Sequence, residues 1–132
     1  MVVYRGTDLP EGMVHFGDES MGECRAAERA LKLGSTVSIV GRGHSMEPEI
    51  SDGTRMMLTP YVDGRTLREG DIVFATIRGK TKDGRKWRGY VMHKVYALRY
   101  GGKQVLIGNT HGRVDGWAWS KDVHGIYIGA LG

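Results

Sequence analysis

At 132 residues the chain is long enough for one domain with a real core and too short for two comfortable ones. A composition of 40% hydrophobic and 26% charged residues argues against wholesale disorder, and a net charge of +4 is too mild to point to any particular partner. The single cysteine, Cys24, excludes an intrachain disulfide, and apolar runs of only a few residues exclude a membrane-spanning helix.

The N-terminus, Met-Val-Val-Tyr-Arg-Gly-Thr-Asp, has no basic region followed by an apolar stretch, so no signal peptide is expected and a soluble, cytoplasmic protein is the default. Residues 1–17 carry no clear period and read as an extended arm. Residues 20–33 read as a helix. Ser20 and Glu23 form a capping-box pattern, Met21, Cys24, Ala27 and Leu31 recur on one face, and Gly34 is a stop signal. Cys24 is expected to be buried in that helix rather than reactive. Residues 1–34 are taken as an arm and short helix packed on a β domain of residues 35–132.

After Gly34 the period becomes two. Thr36–Val40 alternates as a half-buried strand, and Arg55–Thr59 follows the turn Ser51-Asp52-Gly53. Asp71–Ile77 is a third strand. Asp83-Gly84 predicts a tight hairpin with positive φ at both central positions, and a long strand returns from Trp87 to Tyr100. Gly101-Gly102 turns the chain into Gln104–Ile107, and Gly125–Gly129 closes it. With 21 glycines and three prolines, the expectation is a mainly β, bent antiparallel domain with one short helix.

The hairpin from Arg78 to Arg88 holds six basic residues against one acid. Its plain reading is a solvated tip. Its sharper reading is a docking patch made by Lys80, Lys82, Arg85 and Lys86, with Trp87 as a stacking platform for an acidic partner or, less favoured, nucleic acid. Trp117 and Trp119 alternate on one side of a strand and read as a core or subunit-contact pair. His15, His111 and His124 match no ligand spacing, so no metal and no cofactor are expected.

The chemistry concentrates in Gly43-His44-Ser45-Met46-Glu47-Pro48. A serine hydroxyl needs a base to take its proton, and it must protrude where backbone N–H groups face the developing oxyanion. Gly43 permits a sharp turn, and Pro48 fixes the exit path. Alone, these residues fit a structural turn equally well.

Gly43-x-Ser45-Met46-x-Pro48-x-Ile50-x-Asp52-Gly53 resembles the first box of the LexA and signal-peptidase superfamily of serine peptidases. Leu67-Arg68-Glu69-Gly70-Asp71-Ile72-Val73 resembles its next box, and His93-Lys94-Val95 resembles the strand that supplies the general base. Ile107-Gly108-Asn109 with Asp115, then Val123-His124-Gly125-Ile126-Tyr127, resemble its later boxes. The boxes run in order from about Thr36 to Ile128. The resemblance implies the bent β fold of that superfamily's catalytic domain and hydrolysis of a peptide bond in a protein or peptide substrate. It makes Ser45 the nucleophile, Met46 a packing residue beside it, and the Ser45 N–H part of the oxyanion hole. It leaves His44 at the cleft edge.

Members of the superfamily use lysine or histidine as base, and this chain has His93 and Lys94 side by side. Strand alternation puts Val91, His93, Val95 and Ala97 on one face and Tyr90, Met92, Lys94, Tyr96 and Leu98 on the other. This pattern leans towards His93 without settling it. The resemblance puts His93 in the base column, and a free imidazole titrates near pH 6.5 whereas a lysine must come down from about 10.4. Asp115 is the first choice to orient the imidazole, with Asp122 and Asp71 behind it.

Four departures bear on function. Where the family usually has Gly-Asp-Asn this chain has Gly108-Asn109-Thr110, which removes an acid from that turn. The segment before the β domain is too short for the DNA-reading domain of LexA-like repressors, and no Ala-Gly or Cys-Gly self-cleavage pair precedes Ser45. No anchor of the signal-peptidase kind is seen. The expectation is therefore a serine endopeptidase working by a Ser45–His93 dyad or a triad with Asp115. The alternative is a catalytically silent assembly module, such as a phage particle subunit, with homo-oligomerisation open in either case.

Overall fold

A computed structural model describes residues 3–5 and 9–132. The expected arm over 1–17 therefore lies partly outside the described residues, at 1–2 and 6–8. The described chain is mainly β, with nine strands in one mixed sheet and one α-helix, α1. The strands are β1 (Val3–Tyr4), β2 (Val14–Asp18), β3 (Val37–Val40), β4 (Arg55–Pro60), β5 (Ile72–Lys80), β6 (Lys86–Arg99), β7 (Gln104–Gly108), β8 (Val114–Trp119) and β9 (Val123–Leu131). Their order is β2-β3-β4-β9-β5-β6-β7-β8, and β1 adds to the end of β9. Most pairs are antiparallel, but β1–β9 and β2–β3 are parallel. The purely antiparallel expectation missed these pairs because both come from the arm, whose residues have no alternation to reveal a strand.

The helix α1 spans Met21–Lys32, and the Ser20 hydroxyl accepts the Glu23 N–H at 3.4 Å. Cys24, Ala27 and Leu31 are buried on its inner face. They join Val37, Ile39, Met56, Leu58, Phe74 and Met92 in one core. Val73, Ala75, Val95, Val105, Ile107 and Val123 form a second core on the other face of the sheet. Strand β5 runs between the two, so Ile72–Thr76 is buried on both sides and reads as a continuous apolar run. Burial of each large aliphatic side chain stabilises the fold by roughly 1.5–3 kcal/mol.

Two expectations change in detail. The β3 strand is not half-buried, since Ser38 is fully buried. Its hydroxyl is satisfied by His15 Nδ1 at 2.6 Å and Arg55 Nη1 at 3.0 Å, which assigns His15 to structure. In the β5–β6 hairpin only Gly84 takes a positive φ. The Gly84 N–H donates to the Thr81 carbonyl at 3.0 Å and the Thr81 N–H to the Arg85 carbonyl at 2.8 Å, giving a longer loop than a two-residue turn.

A partly buried polar network ties α1 to the sheet. The Tyr90 hydroxyl donates to Glu28 Oε1 at 2.6 Å, Lys32 pairs with Glu28 at 2.6 Å, and His124 Nε2 lies 2.7 Å from the Thr76 hydroxyl and 3.6 Å from Glu28. Burial holds the His124 ring below its ordinary range. Burial works to raise the Glu28 carboxyl, but hydrogen bonds from Lys32 and Tyr90 with the nearby charges outweigh it and hold it low. Both shifts act in one direction. As pH falls below about 6.5 the unfolded chain takes a proton that folded His124 resists, and below about 4.5 Glu28 adds a second loss. The melting temperature is expected to fall as pH drops from 7.5 to 5.5, with a shallower slope in His124→Gln. An unchanged slope in the variant contradicts this assignment.

Candidate active site

Ser45 sits in the loop between β3 and β4. Gly43 takes φ 92°, a left-handed conformation that suits glycine, and its N–H donates to Asp52 Oδ1 at 2.9 Å. The turn closes through Glu47 N–H to the His44 carbonyl at 3.2 Å and Ile50 N–H to the Met46 carbonyl at 2.8 Å. Met46 is buried at 6% exposure and anchors the turn in the first core, which leaves Ser45 exposed. Among the described residues no acceptor engages the Ser45 backbone N–H, so that donor is free for a ligand.

His93 lies on β6 opposite Val73. Its Nε2 is 3.3 Å from Ser45 Oγ, and its Nδ1 is in a short contact with Asp115 Oδ2. With Nδ1–H donated to the carboxylate, Nε2 is the acceptor for the serine proton. The two side chains are only 15% and 17% exposed, so water is largely excluded from their contact. Asp115 reaches His93 through a β-bulge. Gly108 pairs with Val114 and Ile107 with Gly116, which leaves Asp115 as the extra residue.

Lys94 points elsewhere, with its Nζ 3.0 Å from Glu49. Asp71 caps the Arg68 N–H at 2.9 Å, and Asp122 pairs with Arg78 at 3.4 Å, so neither meets His93. The expected alternation along β6 holds only to Val95. A second bulge, between the Val95–Ile107 and Ala97–Leu106 pairs, shifts the phase, and Leu98 packs with Val91 and Val95.

The turn between β7 and β8 is built by Asn109. Its side-chain oxygen accepts from the N–H groups of His111 and Arg113, each at 2.9 Å. The amide oxygen thus closes the turn by accepting two backbone N–H groups. The same turn presents Thr110 to the serine loop. Thr110 N–H reaches the Ser45 carbonyl at 3.0 Å, and its hydroxyl lies 3.1 Å from that carbonyl and 2.6 Å from the Glu47 carbonyl. His111 Nε2 donates to the His44 carbonyl at 3.0 Å. His44 is exposed and pairs with Glu47 at the rim. Gly108 is forced, because a Cβ there would overlap the Arg113 carbonyl and crowd Val114 and Tyr96.

A cavity of about 320 Å³ opens beside the pair. Ser45 and His93 form one wall, and Cys24, Met46, Ile50, Met56 and Met92 supply apolar surface. Burial pushes the Cys24 thiol up to about 12, so it is inert. Glu19, from the β2–α1 junction, is the one carboxylate lining the cavity. The sequence offered no signal for Glu19 or Thr110, because both meet the site only through contacts distant in the chain.

The other expected residues fall outside the site. Lys80, Lys82, Arg85, Lys86 and Trp87 are exposed on the hairpin tip, where Trp87 lies against Gly79 and Arg85 pairs with Asp83. Trp117 and Trp119 are 38% and 49% exposed, which corrects the core reading. They lie on the outer face of edge strand β8, where the Arg99 guanidinium stacks 4.0 Å over Trp117. Among the described residues no cluster of His, Cys, Asp and Glu could hold a metal, and no helix is long and apolar enough to cross a membrane. Comparison with protein-family models, curated proteins and solved structures finds no match to this chain.

Proposed function

We infer that this chain is a serine peptidase of the LexA/signal-peptidase type, in which Ser45, His93 and Asp115 form a catalytic triad. The observation that carries the reading is the alignment of Ser45 Oγ 3.3 Å from His93 Nε2, with Asp115 on the other ring nitrogen. The ordered boxes from Thr36 to Ile128 support the same assignment, including the superfamily's bent β fold.

In this mechanism His93 Nε2 takes the Ser45 proton as Oγ attacks the substrate carbonyl. The carbonyl π electrons move onto oxygen, which the free Ser45 N–H stabilises. The imidazolium returns its proton to the leaving amine, the C–N bond breaks, and an ester on Ser45 remains. Water then attacks the ester carbonyl and gives a proton to His93, the C–Oγ bond breaks, Ser45 Oγ takes that proton back from His93, and the acid leaves. Asp115 stays ionised throughout and holds the ring in the required tautomer.

A complex peptide mixture incubated with the protein is expected to gain new termini, read by mass spectrometry. Ser45→Ala and His93→Ala should each lower that rate by about 10³-fold or more. Equal cleavage by wild type and Ser45→Ala would sink the reading.

A further inference from the structure

Building on the peptidase reading, we propose that the cavity beside Ser45 selects a basic substrate side chain, lysine or arginine, through the Glu19 carboxylate. Three observations carry this. Glu19 lines the same cavity as the nucleophile and its base. The carboxylate is half-buried and receives only the Arg42 backbone N–H, at 3.0 Å on Oε1. Arg42 turns its guanidinium away to Asp18, at 3.1 and 3.2 Å. Among the described residues no ammonium or guanidinium lies within ion-pair reach of Glu19.

An uncompensated carboxylate in a partly apolar cavity is unfavourable unless something pairs with it. The same cavity is lined by the apolar side chains of Cys24, Met46, Ile50, Met56 and Met92, and also by Arg42, whose guanidinium is held by Asp18. The apolar side chains suit a long aliphatic stem, and the carboxylate suits a cation at its end. Lysine and arginine combine the two. The direction of the Glu19 titration agrees: burial raises it above the ordinary carboxylate range, against the opposing pull of the Arg42 N–H and His93. A group of this kind favours the folded state when protonated and opposes it once pH rises through its folded value, so an ionised Glu19 lowers stability near neutral pH. A carboxylate kept at such a cost is expected where a ligand uses it.

Selectivity is measured apart from catalysis, using Ser45→Ala so that bound peptide is not consumed. An alanine pentapeptide amide with lysine at its centre is titrated calorimetrically against its twin with norleucine, which keeps the stem and lacks the charge. The lysyl peptide is expected to bind about tenfold or more tightly. Adding Glu19→Gln, which can still accept the Arg42 N–H, should erase that preference, and adding Glu19→Lys should invert it. Equal or tighter binding of the norleucyl peptide, or a lysine preference that survives Glu19→Gln, overturns the proposal. Because no bond is cleaved, these outcomes are independent of whether wild-type Ser45 turns over.

Discussion

Asp115→Asn is expected to slow acylation of Ser45 by about 10³–10⁴-fold while the protein stays folded. The reason lies in the short contact of Asp115 with His93 Nδ1. A carboxylate accepts only, so it holds the proton on Nδ1 and leaves Nε2 bare towards Ser45, 3.3 Å away. An asparagine can turn its amide N–H₂ to the ring, which moves the proton to Nε2 and removes the base. The check is the rate of serine-directed phosphonate labelling beside a melting curve. A loss below about tenfold, with the melting temperature retained, would mean that Asp115 is a structural partner and the working unit is a dyad.

Phe74→Ala is expected to have the largest effect on stability. Phe74 is 2% exposed on β5, between Met92 of β6 and Gly125 of β9. Its ring stacks on Tyr90 with centroids 5.3 Å apart and meets His124 edge-on at 5.7 Å. Truncation leaves a cavity in a core already occupied by α1 on its far side, with little freedom to collapse. The expected loss is about 3–5 kcal/mol, a fall in melting temperature of roughly 10–20 °C. Chemical denaturation with an unchanged m-value would check it. A loss under about 1 kcal/mol would show that the two cores do not depend on β5 as described.

Much of this architecture was legible because it follows local periodicity. The α1 helix announced itself by Ser20, the Cys24–Ala27–Leu31 face and Gly34, and β3 to β7 followed their apolar runs. The arm strands β1 and β2 did not, because they exist through pairing with distant strands rather than through pattern. Of β8 only the Trp117–Trp119 alternation was legible; its first half was hidden by Gly116 and by the bulge that carries Asp115. The Tyr96 bulge likewise breaks a strict alternation that the sequence cannot reveal to be broken.

The candidate site shows the same division. Ser45, His93 and Asp115 were candidates from a resemblance in residue order, and the structure brings their side chains together. Strand alternation only leaned towards His93 over Lys94. In the structure Lys94 Nζ lies 3.0 Å from Glu49, while His93 Nε2 lies 3.3 Å from Ser45 Oγ. Asn109 departs from the Gly-Asp-Asn pattern that the resemblance would imply, yet its amide oxygen gathers the N–H groups of His111 and Arg113. Thr110 and Glu19 were invisible, since neither carries a local signal and both act across more than sixty or about twenty residues of chain. Side-chain chemistry was therefore easier to anticipate than the neighbours that position it.

The central claim is that Ser45 is a nucleophile activated by His93. Its most direct test is reaction of the intact protein with a fluorophosphonate, followed by peptide mapping. One adduct per chain on Ser45, absent from Ser45→Ala and from His93→Ala, is the predicted result. Folded wild-type protein that forms no adduct over about pH 6–9 would contradict the claim and leave the serine turn as part of a silent structural module.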